Sequence, residues 1–142
     1  RLGLTDEPGV EITTNLGGRS IQVLAIHPLS PTSSNRSGGR DAVIQSAAIW
    51  ARSRTVPVVV VGDLNATPWS HAFHTLAERG DLVNSLDGFG LQPTWPAGQP
   101  WFAIPIDNLL HSDQLTTVER NTGPANGSDH RPLEVTLAFA AG

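Results

Sequence analysis

The chain has 142 residues, of which 39% are hydrophobic and 15% charged, and its formal net charge is −4. This composition is typical of one globular domain and excludes a disordered chain, and no run approaches the ~20 apolar residues of a membrane span. There is no cysteine, which excludes disulfides, thiolate zinc sites and a cysteine nucleophile. The acidic balance also weakens the case for the basic face with which most proteins hold nucleic acid.

The N-terminal part of the chain predicts a β-hairpin. Strand-like runs at residues 10–14 and 19–26 flank Asn15-Leu16-Gly17-Gly18, which supplies the turn residues of a hairpin. The second strand ends at His27, because Pro28 cannot continue a regular ladder.

The middle of the chain predicts two helices around a short buried strand. Residues 32–39 are polar and rich in Ser and Gly, so we expect a mobile loop there. A helix is expected at about residues 40–54, with an apolar stripe of Val43, Ala47, Ile49 and Trp50. The all-apolar run 58–61 predicts a strand covered on both faces. A second helix is expected at 69–79, ending at Gly80, with Phe73 and Leu76 inward.

The C-terminal part predicts a loop and then three strands, at 103–111, 115–120 and 133–139. The loop, residues 82–101, is rich in Gly and Pro. Trp95, Trp101 and Phe102 precede the first of these strands along the chain, and we expect them to form a small satellite core. Together the elements predict a single α/β domain over residues 1–142, with a mostly antiparallel mixed sheet and helices on one face.

The first candidate motif is Gly62-Asp63-Leu64-Asn65, at the end of the buried strand. Side chains alternate along a strand, so Asp63 and Asn65 are predicted on one side, with Leu64 in the core. A carboxylate there can orient and deprotonate a water, and an amide can donate to an oxygen that gains charge. An Asx-turn in which both residues bond only to backbone is an equally good interpretation of this motif alone.

The second motif is Ser128-Asp129-His130-Arg131-Pro132, before the last strand. Asp129 offers an oxygen ligand for Mg²⁺ or Mn²⁺, and His130 is a titratable imidazole that needs a carboxylate to orient it. Asp107 is the best candidate for that partner. By itself the motif is better explained by a loop whose Asp and His cap the final strand.

His27 also lies at a strand end, although a lone histidine there is more often structural. We assign no function to His71, His74 or His111, the first two of which are expected on a helix surface.

In this order the motifs resemble those of the endonuclease/exonuclease/phosphatase superfamily, whose members include pancreatic-type deoxyribonucleases, abasic-site endonucleases, inositol-phosphate phosphatases and sphingomyelinases. The resemblance implies catalytic roles for His27, Asp63, Asn65, Asp107 and His130. It also implies that Asp129, together with Asp63, holds Mg²⁺ or Mn²⁺, while Asp63 activates the attacking water. His130, paired with Asp107, would contact the phosphate, as would His27 unless it acts as the leaving-group acid.

The resemblance further implies a four-layer α/β sandwich, of which this chain is the C-terminal half. Residues 66–70 and 94–96 resemble a bacterial branch whose members often have membrane helices upstream, so the parent protein is expected to be membrane-anchored or extracytoplasmic. Asn108 departs from the family pattern, which usually has His there. Nothing before His27 resembles the Asn and the metal-binding Glu of the family's first half.

These features predict a divalent-metal-dependent phosphoesterase that acts on nucleic acid, a lipid headgroup or a small phosphoester. The alternative is a non-catalytic binding or assembly module that keeps the same sheet. An incomplete set of ligands predicts weak metal binding, and the missing half favours inactivity of this chain alone. An exposed sheet face predicts pairing with a second copy or with a missing N-terminal half.

Overall fold

A computed structural model describes residues 9–141 of the chain. In this part the elements follow the order β1, β2, α1, β3, α2, β4, β5, β6, β7. Their bounds are Gly9–Leu16, Arg19–Ile26, Ser34–Arg52, Val58–Asp63, His71–Gly80, Val83–Asn84, Asp107–His111, Leu115–Thr122 and Leu133–Phe139.

The strands form a five-stranded mixed sheet and a separate two-stranded sheet. The larger sheet has the order β1-β2-β3-β5-β4, and only its β2–β3 pair is parallel. β6 and β7 pair antiparallel with each other. The predicted α/β class, with a mostly antiparallel mixed sheet, is therefore confirmed.

The main core lies between the larger sheet and the two helices. Apolar side chains of β2, β3 and β5 pack there against α1 and α2, including Leu24, Val60, Leu110, Ile44, Phe73 and Leu76. The helices thus cover one face of the sheet, as predicted, and hold its strand ends in fixed positions.

The opposite face has a smaller core and a half-open surface. Ile21, Val59 and Leu109 are buried there with Leu115 of β6, and three residues of β7 are partly buried against them. The sequence predicted an exposed sheet face, but the β6–β7 hairpin covers part of this face. Apolar side chains on β1 remain about half exposed, namely Val10, Ile12 and Leu16.

Helix α1 begins at Ser34, so the prediction of a loop at 32–39 was wrong for most of that segment. The Ser33 hydroxyl accepts a hydrogen bond from the backbone N–H of Arg36 and caps the helix. The predicted stripe was also wrong at Ile49, which is exposed, since Ile44 takes the buried position.

Helix α2 ends one residue later than predicted. Asp81, with φ 55°, adopts the left-handed conformation after the helix, whereas Gly80 is still helical. Gly80 is buried, and a Cβ there would lie 3.0 Å from Cδ1 of Leu82, just after the helix. The glycine therefore leaves room for the Leu82 side chain rather than making the turn.

The prediction of a satellite core in the long loop was wrong. Trp101 is 92% exposed and Phe102 76% exposed, in a short 3₁₀ turn at Pro100–Phe102. The strand predicted at 103–111 begins only at Asp107, and Ile104 forms an isolated bridge with Trp95. No helix within residues 9–141 combines the length and the apolar character needed to cross a membrane.

Candidate active site

The sheet register brings three predicted site residues to one edge. β3 and β5 pair so that Asp63 lies directly opposite Asp107. β2 runs parallel to β3 with Ala25 beside Val61, so His27 follows at the level of Asp63. The Nε2 atom of His27 is 3.4 Å from Asp63 Oδ2, although the His27 side chain is 73% exposed. Polar side chains thus converge outside the strand ends, where open α/β sheets commonly bind ligands.

His130 reaches the same edge from the loop between β6 and β7. Its Nδ1 lies 2.7 Å from Asp107 Oδ2, which fixes the proton on Nδ1 because a carboxylate oxygen only accepts. Its Nε2 is 3.9 Å from Asp63 Oδ2. The Ser128 hydroxyl accepts from the backbone N–H of His130 at 3.1 Å. The imidazole is therefore oriented by Asp107, with Nε2 aimed at the carboxylate of Asp63.

Gly62 allows β2 and β3 to approach closely just before Asp63. Its φ is +145°, and a Cβ at this position would collide with the backbone carbonyl of Ile26. A side chain here would push the β3 end away from His27.

Asn65 makes hydrogen bonds through both its backbone and its side chain. Its backbone N–H donates to Asp63 Oδ1 at 2.8 Å, which is the Asx-turn of the alternative interpretation. The turn places Asn65 at φ 47°, so simple strand alternation no longer describes it. Its side-chain amide donates to the Pro28 carbonyl at 2.9 Å, and Arg40 of α1 donates to its backbone carbonyl at 3.2 Å. Leu64 is buried, as predicted.

Asp129 lies beside the site with its carboxylate turned towards the loop before β5. Its Oδ2 accepts from the indole N–H of Trp95 at 3.3 Å, and its backbone carbonyl accepts from the Ala97 N–H at 2.7 Å. The Trp95 ring lies 6.3 Å from that of His130. Asp129 thus ties the loop that contains Trp95 to the segment that contains His130.

Burial and neighbouring charges shift two pKa values in this cluster. Burial raises the pKa of Asp63, and the charge of Asp107 raises it further, whereas the Asn65 N–H and the two histidines oppose the shift. Burial lowers the pKa of His130, but the hydrogen bond to Asp107 and the charges of Asp107, Asp63 and Asp129 outweigh it and raise the pKa. Both groups therefore hold their protons to a higher pH than usual.

The side chains of Asp63, Asp107 and His130 form a group that fits part of a divalent metal site. One ligand atom from each lies within 4.8 Å of the others. Carboxylate oxygens suit Mg²⁺ and Mn²⁺, but Asp107 Oδ2 is bonded to His130 and Asp63 Oδ1 to Asn65. Asp129, predicted as a metal ligand, is not in this group.

Three positioning residues were not predicted. The buried Thr94 hydroxyl accepts from the Asp107 N–H at 3.2 Å. The buried Asn108 amide donates to the carbonyls of Ala66 and Pro105. Arg40 holds Asn65. Two of them had a signal in the sequence: Asn108 as the departure from the family's usual histidine, and Thr94 as part of the motif at residues 94–96.

The strand ends, the paired carboxylates and the oriented histidine thus form one polar cluster on a mixed α/β sheet. A family model described as "Endonuclease/Exonuclease/phosphatase family" matches residues 2–130. This chain belongs to that family. No curated protein matches the chain.

Solved structures of this superfamily share the fold. The human Nocturnin catalytic domain with bound sulfate matches with a TM-score of 0.72 and 19% identity, over 96% of this chain and 54% of that one. Humanized D. rerio TDP2 matches with a TM-score of 0.75 and 12% identity, over 92% of this chain and 60% of that one. A mannosyl-6-phosphatase of Bacteroides thetaiotaomicron VPI-5482 matches with a TM-score of 0.67 and 18% identity, over 87% of this chain and 53% of that one. The chain spans just over half the length of these proteins.

Proposed function

We propose that this chain is the C-terminal portion of a divalent-metal-dependent phosphoesterase, which hydrolyses a phosphodiester or phosphomonoester by attack of an activated water. The observation that carries the proposal is the convergence of Asp63, Asp107 and His130 within 4.8 Å at one sheet edge. Membership of the family supports the reaction class. The substrates suggested by relatives, nucleic acid and sugar phosphates among them, share only the phosphoester group with one another.

Asp63 is proposed to orient the water and take its proton. Its Oδ1 is held by the Asn65 N–H, which leaves Oδ2 facing the two histidines. The raised pKa of Asp63 makes its carboxylate a stronger base than an exposed aspartate.

His130 is proposed to contact the phosphoryl group through Nε2. The bond from Nδ1 to Asp107 fixes the ring, and the raised pKa favours the imidazolium, which donates from Nε2 to a charged oxygen. His27 is sufficiently exposed to protonate a leaving group. The Asn65 amide would have to leave the Pro28 carbonyl to reach a phosphoryl oxygen, so its role requires a side-chain rotation.

Mg²⁺ or Mn²⁺ is the proposed cofactor, with Asp63 and Asp129 as ligands. When bound, such an ion neutralises charge on the phosphoryl oxygens. The few unshared carboxylate oxygens of the described residues predict weak affinity, so Asp63→Asn and Asp129→Asn are expected to weaken Mn²⁺ binding further. Micromolar affinity of the unaltered chain in calorimetry would contradict this expectation.

A second candidate is a non-catalytic binding or assembly module. The exposed apolar side chains of β1, on the face that β6 and β7 only partly cover, favour an added layer there. We propose that the remaining domain or a second copy covers this face. A monodisperse monomer in light scattering would count against pairing of copies.

The decisive experiment is hydrolysis of bis-p-nitrophenyl phosphate with Mn²⁺. The proposal expects activity that is lost on addition of EDTA and in His130→Ala, and retained in His74→Ala, whose histidine is exposed on α2. If the chain alone is inactive, the same comparison is made in the full-length parent protein. Activity there that is insensitive to both EDTA and His130→Ala would overturn the proposal.

A further inference from the structure

A cavity of about 700 Å³ opens directly beside the catalytic edge. Its floor is polar and consists of His27, Asp63, Asn65 and His130. Its remaining lining is almost entirely apolar and comes from two segments of the chain. A group held in this cavity would therefore adjoin the atoms proposed to handle the phosphoryl group.

Two segments supply the apolar lining of the cavity. One contains Pro28, Leu29 and Pro31, which follow β2. The other contains Trp95 and Ile104, whose backbones are joined by hydrogen bonds in both directions. The indole N–H of Trp95 is bonded to Asp129, which holds the aromatic ring next to His130. An aromatic ring in a fixed position thus lines the cavity beside the site.

The cavity offers no positive charge apart from its histidines. None of the described arginines lines it, and the sequence has no lysine and no charged residue between Gly88 and Ile106. A substituent that carries a second phosphate or a carboxylate would meet Asp63 without a counter-charge. The chemistry of the walls therefore favours an uncharged group.

We propose that this cavity binds a flat, uncharged ring carried by the phosphoester substrate, with Trp95 as the residue that determines this specificity. The inference rests on the proposed function, since it places the phosphoryl group at His130. Stacking on an aromatic side chain tolerates any ring with a π-face. Arenes and nucleobases share this chemistry.

The test compares the binding of phenylphosphonate and methylphosphonate by calorimetry in the presence of Mn²⁺. The unaltered chain is expected to bind the phenyl compound about tenfold more tightly. In Trp95→Ala this preference should fall to near one. In Trp101→Ala it should persist, because that tryptophan is 92% exposed and lies outside the cavity.

Two milder variants keep the test informative if Trp95→Ala fails to fold. Trp95→Phe keeps a ring but loses the bond to Asp129, and it should retain most of the phenyl preference. Leu29→Ala removes a half-exposed wall residue and should reduce the preference several-fold without unfolding the chain. Circular dichroism checks each variant.

Several outcomes would overturn the inference: no binding of phenylphosphonate, equal binding of the two compounds, or an undiminished preference in both Trp95→Ala and Leu29→Ala. Octylphosphonate binding as tight as phenylphosphonate would assign the cavity to an acyl chain instead of a ring. Phenyl preference together with parent-protein hydrolysis that is insensitive to EDTA and to His130→Ala would refute the proposed function alone. Hydrolysis that responds to both, without phenyl preference, would refute the cavity alone. Inosine and 4-nitrobenzyl phosphonates then separate nucleobases from other arenes.

Discussion

The two ends of β5 place a histidine in opposite circumstances. At its C-terminal end His111 is buried, and both ring nitrogens are bonded, to the Ser112 carbonyl at 2.9 Å and the Thr117 hydroxyl at 3.0 Å. At its N-terminal end Asp107 bonds only Nδ1 of His130, whose other nitrogen borders a cavity. One end of β5 thus carries a histidine with both ring nitrogens bonded, and the other end carries the carboxylate that orients a histidine with only one nitrogen bonded. A free nitrogen beside a cavity, rather than the presence of a histidine, marks the end suited to chemistry.

The largest effect is expected at the site end. Asp107→Asn removes the charge that raises the pKa of His130 and leaves only a weaker, neutral acceptor for Nδ1–H, so it should lower kcat/KM by on the order of 10²–10⁴-fold. The imidazolium is lost as pH rises through this pKa, so a lower pKa should move the alkaline limb of the pH profile to lower pH. Steady-state kinetics across pH provide the measurement.

Asp113→Asn is the matched control, because Asp113 follows β5 at its other end and is exposed. It should leave both the rate and the profile unchanged. An unshifted alkaline limb in Asp107→Asn would show that His130 does not govern the profile.

The next effect is expected at the opposite end. His111→Ala leaves a cavity and the Thr117 hydroxyl without its partner, and it should lower the free energy of unfolding by about 1–3 kcal/mol. Turnover per folded molecule should not change. Urea unfolding measures the first quantity, with His74→Ala as the exposed control. A loss of turnover without a loss of stability would reverse the roles of the two ends.

A smaller and stabilising effect is expected from Asp63→Asn. The folded-state pKa of Asp63 is raised, so its stabilising contribution is present below the unfolded pKa and is lost as pH rises through the folded one. An asparagine is uncharged, so at neutral pH it avoids the free-energy cost of burying the ionised carboxylate. Its amide oxygen still accepts the Asn65 N–H. Thermal melts should show a Tm a few degrees higher at pH 7, and no gain below about pH 3.9.

Asp87→Asn, at an exposed aspartate, should leave Tm unchanged at both pH values. Hydrolysis should fall in Asp63→Asn alone. A Tm that drops at neutral pH would mean that the contacts of Asp63 with His27 and His130 outweigh the cost of its burial.

The smallest effect is expected from His27→Ala. The side chain is 73% exposed and its contact with Asp63 is 3.4 Å long, so stability should stay within about 0.5 kcal/mol. Urea unfolding again provides the measurement. A loss above 1 kcal/mol would place His27 with the structural histidine at the far end of β5.

The sequence predicted the sheet and the meeting of its strand ends, because those features depend on local patterns. The apolar run before Gly62 and the prolines after β2 mark where strands stop. Once β3 and β5 pair, Asp63 and Asp107 must meet. The roles assigned to the site residues remain predictions.

Features that depend on distant contacts escaped prediction. Asn65 turns its amide to Pro28, which is 37 residues away, and Asp129 accepts from Trp95, 34 residues away. No local pattern encodes such partners. The start of α1 was missed for a different reason, since two glycines near its beginning obscured the Ser33 cap.

The contact between Arg40 and the Asn65 carbonyl couples the site to a helix that contributes no chemistry. Arg40 belongs to the N-terminal part of α1, where the exposed, glycine-containing first turns have few buried contacts. Such turns open locally at a lower free energy than the core. The Asn65 carbonyl should therefore lose its Arg40 partner when the first turns of α1 fray on heating, before the sheet unfolds.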